Sequence, residues 1–146
     1  MMISTKGRYA LRVMIDLARH ERDEFVSLKG ISERQQISMK YLEAIVAVLN
    51  KADFLQSQRG KDGGYRLAKN PSEYTIGSVL KLTEGSLAPV ACAEDNGKCE
   101  NYCDCVTSFI WTRIYEATIE VVSKITLKDL AERSLTIEKT ELECLK

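Results

Sequence analysis

The segment FLQSQRGKDGGYRLA, residues 54–68, limits what this chain can fold into more than any other. Two alternating runs meet at a charged tip holding Gly60, Gly63 and Gly64, and glycine accepts positive φ and close backbone approach at little steric cost. The segment reads as a β-hairpin. The flanking sequence has helical periodicity, so the hairpin must pack on a helical body. The expected class is mostly α with a small β-hairpin.

Ser4 or Thr5 can cap a helix from Lys6 to about His20, with Tyr9, Leu11, Val13, Met14, Leu17 and Ala18 on its apolar face. His20, the single histidine, falls where an imidazole faces the helix dipole or solvent rather than a metal. Ser27 caps a short second helix ending near Gln35, and after a break at Gln36 and Ile37, Ser38 caps a third. Two short helices joined by so tight a turn form a helix-turn-helix. In the third helix Tyr41, Leu42, Ile45, Val46 and Leu49 recur at helical spacing and turn one face inward, while its first turn offers Ser38, Lys40, Tyr41 and Glu43. That polar set can reach base edges and phosphates from a major groove. Glu43 either accepts from a cytosine or is solvated. Followed directly by the hairpin, the unit reads as a winged helix-turn-helix. Arg59, with Gly60 and Lys61, puts a guanidinium at the tip for a minor groove or a phosphate, and Arg66 adds charge.

A net charge of zero argues at first against a nucleic-acid partner, but the charge is unevenly spread. Residues 1–70 hold 13 Lys or Arg against 8 Asp or Glu, and residues 71–146 hold 8 against 13. A basic front and an acidic rear match a DNA-contacting module joined to a separate sensory or oligomerisation part. The 146 residues can bury one core, or a small domain plus an extended dimerisation element. No run is long or apolar enough to cross a membrane. The start MMISTKGRYALRV carries charges in its first turns and no apolar export stretch, which points to the cytoplasm, where disulfides are disfavoured. No nucleophile and base pair or phosphate loop stands out, so no enzyme is expected.

Thr75 caps a helix from Ile76 to about Glu84, which Gly85 ends. The chain then enters SLAPVACAEDNGKCENYCDC, where Pro89 and Gly97 prevent long regular structure. Cys92, Cys99, Cys103 and Cys105, four of the five cysteines, crowd into this segment, and thiolates are soft metal ligands. Their gaps of six, three and one residues fit an iron–sulfur cluster better than the paired spacings of zinc. Structural zinc and redox-active thiols are the alternatives. Cys144 reads as a bystander.

From Val106 to Ile125, one stripe holds Val106, Ile110, Ile114, Ala117, Val121 and Ile125, and Trp111, Tyr115 and Val122 lie beside it. One chain has no core to cover both, so a two-fold homodimer through this helix is expected, with a monomeric core helix as the alternative. Thr126 caps a last helix from Leu127 to about Arg133, followed by a frayed tail. The resulting division is a winged helix-turn-helix at 1–84, a cysteine loop at 85–105, a dimerisation and terminal helix at 106–133, and a flexible tail at 134–146.

The pieces STKGRYALRVMIDLA, ISERQQISMKYLEAI, RGKDGGYRLA, EGSLAPVAC leading to CVTSFIW, and ITLKDL resemble the dimeric winged-helix transcription regulators that include IscR, NsrR and CymR. The resemblance covers residues 1 to about 131 and is strongest to cluster-binding, IscR-type members. It implies a cytoplasmic homodimeric regulator, a repressor, that binds double-stranded DNA at a palindromic operator. It also implies a cluster, 2Fe-2S with 4Fe-4S as the alternative, held by Cys92, Cys99 and Cys105. Ser108 stands where the IscR pattern has a histidine, and Arg8 where the NsrR pattern has an aspartate, so Cys103 or an outside ligand is left to complete the set. Lys6 and Tyr9 join the DNA-contacting residues as phosphate contacts. Two further readings are a zinc-stabilised or cluster-free regulator controlled by a partner protein, and an electron-transfer iron–sulfur protein. The hairpin opposes the last, because an electron carrier has no need of RGKDGG.

Overall fold

The computed structural model of the chain describes residues 2–95 and 99–144, the last four by backbone alone. Ser4 opens α1 (Thr5–Ala18), its hydroxyl accepting from the Gly7 N–H at 3.1 Å. The helix stops just short of His20, whose Nδ1 lies 2.8 Å from the Asp16 carbonyl at the helix end. Ser27 caps α2 (Leu28–Gln35) and Ser38 caps α3 (Met39–Lys51). Between them Gln36 takes the left-handed conformation, φ 53°, which a non-glycine residue tolerates only with local support. The Ser32 hydroxyl supplies it by donating to the Ile37 carbonyl at 2.6 Å.

The hairpin pairs β1 (Leu55–Gln58) with β2 (Gly64–Leu67), antiparallel, with Leu55 opposite Leu67 and Gln58 opposite Gly64. Its glycines divide between the two uses expected of them, positive φ and close backbone approach. Gly60 alone among the three has positive φ, 115°, whereas a Cβ on Gly63 would collide with the Gln58 carbonyl and one on Gly64 with that of Val26. The approach at Gly64 brings in a third rung. Val26 and Tyr65 exchange both backbone hydrogen bonds at 2.9 Å, so the residue before the α2 cap Ser27 extends the sheet. Tyr74 locks the far end, accepting from the Lys69 N–H at 2.9 Å and donating to the Phe54 carbonyl at 2.8 Å.

Thr75 caps α4 (Ile76–Glu84), and Gly85, φ 79°, ends it. A single turn, α5 (Ala91–Glu94), and a 3-10 turn at Tyr102–Asp104 interrupt the cysteine segment before α6 (Ser108–Lys124) and α7 (Leu127–Cys144). The expectation for Gly97 lies outside the described residues. Val13 and Met14 of α1, Ile31 of α2, Leu42, Ile45 and Leu49 of α3, Val79 of α4 and Leu127 of α7 are almost wholly buried together. Each contributes about 1.5–3 kcal/mol of transfer free energy.

Two findings concern the rear helices. No residue of α6 is buried: Tyr115, Ile119 and Val122 pack on the core, while Ile110, Ile114, Val121 and Ile125 remain exposed beside Phe109, which is 72% exposed. The expected end of the last helix near Arg133, with a frayed tail beyond, is corrected, because α7 continues as helix to Cys144. SLTIEKTELEC has no glycine or proline, and an ion pair of 2.8 Å from Glu138 to Arg19 ties this extension back to the end of α1. Among the described residues no helix is long and apolar enough to cross a membrane.

Candidate nucleic-acid interface and cysteine segment

Ser38, Lys40, Tyr41 and Glu43 are all exposed in the first turns of α3, with Met39 beside them. The Ser38 hydroxyl already accepts from the Tyr41 N–H at 3.4 Å, so its O–H is what it can offer outward. Tyr41 belongs to this exposed set rather than to the core, because its ring leans on Tyr9 of α1, edge-on at 5.4 Å between centroids. The Arg12 guanidinium lies 5.5 Å from the Tyr9 ring and donates from Nε to the Gln35 side chain at 3.2 Å and from Nη2 to the Gln35 carbonyl at 2.5 Å. Tyr9, Arg12, Gln35 and Tyr41 therefore join three helices at one surface.

Sequence reasoning selected Tyr9 and Tyr41 for this surface and missed Arg12, a cation one turn past Tyr9 whose role exists only once α1 and α2 meet. Lys6 is half-buried on the first turn of α1. Arg59, Gly60 and Lys61 are exposed together at the hairpin tip. Arg66, the other cation noted in that segment, is engaged within the protein. It lies 4.5 Å from the Phe25 ring and bonds Gln56 at 3.0 Å and Asp23 at 3.4 Å.

Cys92 lies on α5, Cys103 in the 3-10 turn, and Cys99 and Cys105 just outside them; all four are free thiols, Cys103 exposed and the others half-buried. Hydrogen bonding from Thr107, whose hydroxyl is 3.2 Å from the Cys105 sulfur, holds that thiol below its usual range. The Ser108 hydroxyl donates to the Cys105 carbonyl at 2.7 Å, and Arg8 donates to the Thr5 hydroxyl at 3.0 Å, so neither position supplies a family-type fourth ligand. Four uncrosslinked thiols in one short segment fit an iron–sulfur cluster in donor chemistry. Among the described residues no three His, Cys, Asp or Glu side chains are grouped closely enough to hold a metal ion. The side chain of Cys144 lies outside the described residues.

A family model described as Rrf2, iron-dependent transcriptional regulator, matches residues 3–133. Protein rrf2 of Nitratidesulfovibrio vulgaris is 38% identical over 130 residues, which cover 89% of this chain and 87% of that protein. A solved structure of CymR, the global cysteine regulator of B. subtilis, matches with a TM-score of 0.77 at 38% identity, covering 91% of this chain and 98% of the other. IscR of T. potens matches with a TM-score of 0.74 at 37% identity, covering 92% and 88%. The hairpin behind the helix-turn-helix is thus the wing of a winged-helix regulator. With a match over most of the chain and relatives this similar along nearly its whole length, the protein belongs to the Rrf2 family of DNA-binding transcriptional regulators, which are not enzymes.

Proposed function

We propose that the protein is a cytoplasmic homodimer that represses from a palindromic operator, and that an iron–sulfur cluster on residues 85–105 sets its affinity for DNA. The observation that carries the reading is the placement of four free thiols between the α4 boundary of the winged domain and α6, whose outer apolar stripe is uncovered in one protomer. A second copy packed on Ile110, Ile114 and Val121 buries that stripe and sets two α3 helices about one turn of DNA apart. Ser38, Lys40, Tyr41 and Glu43 then face the major groove, Arg59, Gly60 and Lys61 the minor groove or backbone, and Lys6 and Tyr9 phosphate.

Cys92, Cys99 and Cys105 would hold the cluster, with Cys103 as the fourth protein ligand available. When bound, the group supplies a one-electron, oxygen- and nitric-oxide-sensitive centre. A cluster-free regulator is the second reading, favoured by the lack of a convergent ligand group among the described residues. Anaerobic purification with an absorption spectrum and analysis for iron, sulfide and zinc separates them. Visible absorbance with stoichiometric iron and sulfide is expected; a colourless protein, with or without zinc, overturns the cluster.

A further inference from the structure

We infer that Glu84 is a positioning residue for DNA recognition, which holds the first turn of α1 to the point where the cysteine segment leaves the winged domain. The inference deepens the regulatory reading above and rests on it. Glu84 is the last residue of α4. Its Oε1 accepts from the Ser4 hydroxyl at 2.7 Å and its Oε2 from the Ser4 N–H at 3.4 Å. The Ser4 hydroxyl oxygen in turn accepts from Gly7 at 3.1 Å, so one side chain both caps α1 and docks on the carboxylate.

The dock is close. Glu84 Oε1 occupies the place where a Cβ on Gly7 would stand, so the carboxylate lies directly against the first turn of α1. The negative charge also lies at the positive end of the α1 dipole. Lys6 lies on that turn and Tyr9 follows it, and Tyr9 carries the edge contact to Tyr41 of α3.

On its other side Glu84 adjoins the cysteine segment directly. Gly85 turns the chain out of α4, and the Ser86 hydroxyl donates to Glu94 Oε2 at 2.5 Å. Glu94 closes α5, the turn that carries Cys92, and also accepts from the Tyr115 hydroxyl of α6 at 3.4 Å. A displacement of α5 passes through Ser86 and Glu84 to Ser4, and through α1 to the Tyr9 and Tyr41 pair.

The test uses full-length protein in two anaerobic states: incubated with ferrous iron and sulfide, or stripped with a chelator. Each state is titrated against one duplex selected by the wild type from a random-sequence pool, and the readout is the ratio of the two affinities. Wild type is expected to respond, and in Glu84→Ala and Ser4→Ala the ratio falls toward one by about three- to tenfold, the range of a charge-assisted bond reached by solvent. The salt slope of binding stays as in wild type, because no phosphate contact is removed. A merely structural role moves the unfolding midpoint and leaves the ratio alone. If wild type responds and both variants respond by the same factor, the Glu84 role is overturned while the sensing reading stands. If wild type binds equally in both states, the sensing reading itself fails and the coupling with it.

Discussion

Asp16 and Arg34 form a two-point ion pair between α1 and α2, Nε to Oδ1 at 2.9 Å and Nη2 to Oδ2 at 2.7 Å, with Asp16 only 3% exposed. Gln35 adds a third bond, Nε2 to Oδ1, at 3.0 Å. Burial pushes the Asp16 carboxyl up, but the hydrogen bonds from Arg34 and Gln35, together with the Arg34 charge, outweigh it and hold the group below its usual range. The pair fixes how α2 lies on α1, and so where α3 is presented.

Asp16→Ala removes the acceptor while leaving Arg34 in place. Losing one partner of a buried pair costs roughly 3–5 kcal/mol, and a loss at or below the low end, about 2–3 kcal/mol, is expected because the Arg34 side chain is 42% exposed and can rehydrate. Urea unfolding measures it, and an unshifted midpoint refutes the role.

The same pair gives the stability an acid limb. With the folded-state value of Asp16 below that of the unfolded chain, about 3.9, its contribution is fully present above that value. It is lost as pH falls through the lowered folded value. Below about pH 4 the wild type should lose stability more steeply than Asp16→Asn, read from urea midpoints along a pH series; parallel curves count against this assignment.

Among the described residues Arg59 at the wing tip makes no ion pair or side-chain hydrogen bond that would need to be broken for it to reach DNA. Arg59→Ala should weaken binding to a selected duplex by about 1–3 kcal/mol and, if the contact is to phosphate, reduce the salt slope by about one. Unchanged affinity across the salt series removes Arg59 from the interface.

The open stripe of α6 predicts the oligomeric state. Ile114→Glu with Val121→Glu should give a monomer in sedimentation while leaving the helical circular dichroism in place, since 36% and 57% of these side chains are exposed within one protomer. A variant that sediments like the wild type excludes this face as the dimer contact.

Cysteine substitutions sort the ligand set. Cys92→Ser, Cys99→Ser and Cys105→Ser should each abolish visible absorbance after anaerobic loading with iron and sulfide, and Cys103→Ser should spare it unless Cys103 supplies the fourth ligand. Full absorbance in any of the first three variants removes that residue from the set.

Local signals in the sequence translated directly into structure where one residue decides one bond. Ser27, Ser38 and Thr75 each cap the helix expected of them, Ser4 rather than Thr5 caps α1, and Gly85 ends α4. The exposed turn of α3 and the wing tip were legible for the same reason, because both follow from where a helix and a hairpin begin. Arg12 was not legible, since its partners, the Tyr9 ring and Gln35, come from two helices. Val26 was likewise invisible as a sheet residue, because its pairing with Tyr65 spans the whole helix-turn-helix.

By itself, then, the sequence determined the order of elements, their caps, the turn chemistry of the wing and the crowding of thiols, because propensity, capping and φ preference act within a few residues. Only the tertiary structure decided how these meet. It closed Glu84 on Ser4, buried Asp16 beneath Arg34, carried α7 past Arg133 to an ion pair with Arg19, and left one stripe of α6 uncovered. Those outcomes depend on shape and charge matching between segments far apart in the chain, and a pattern read along one strand of sequence carries no record of which distant surface will lie against it.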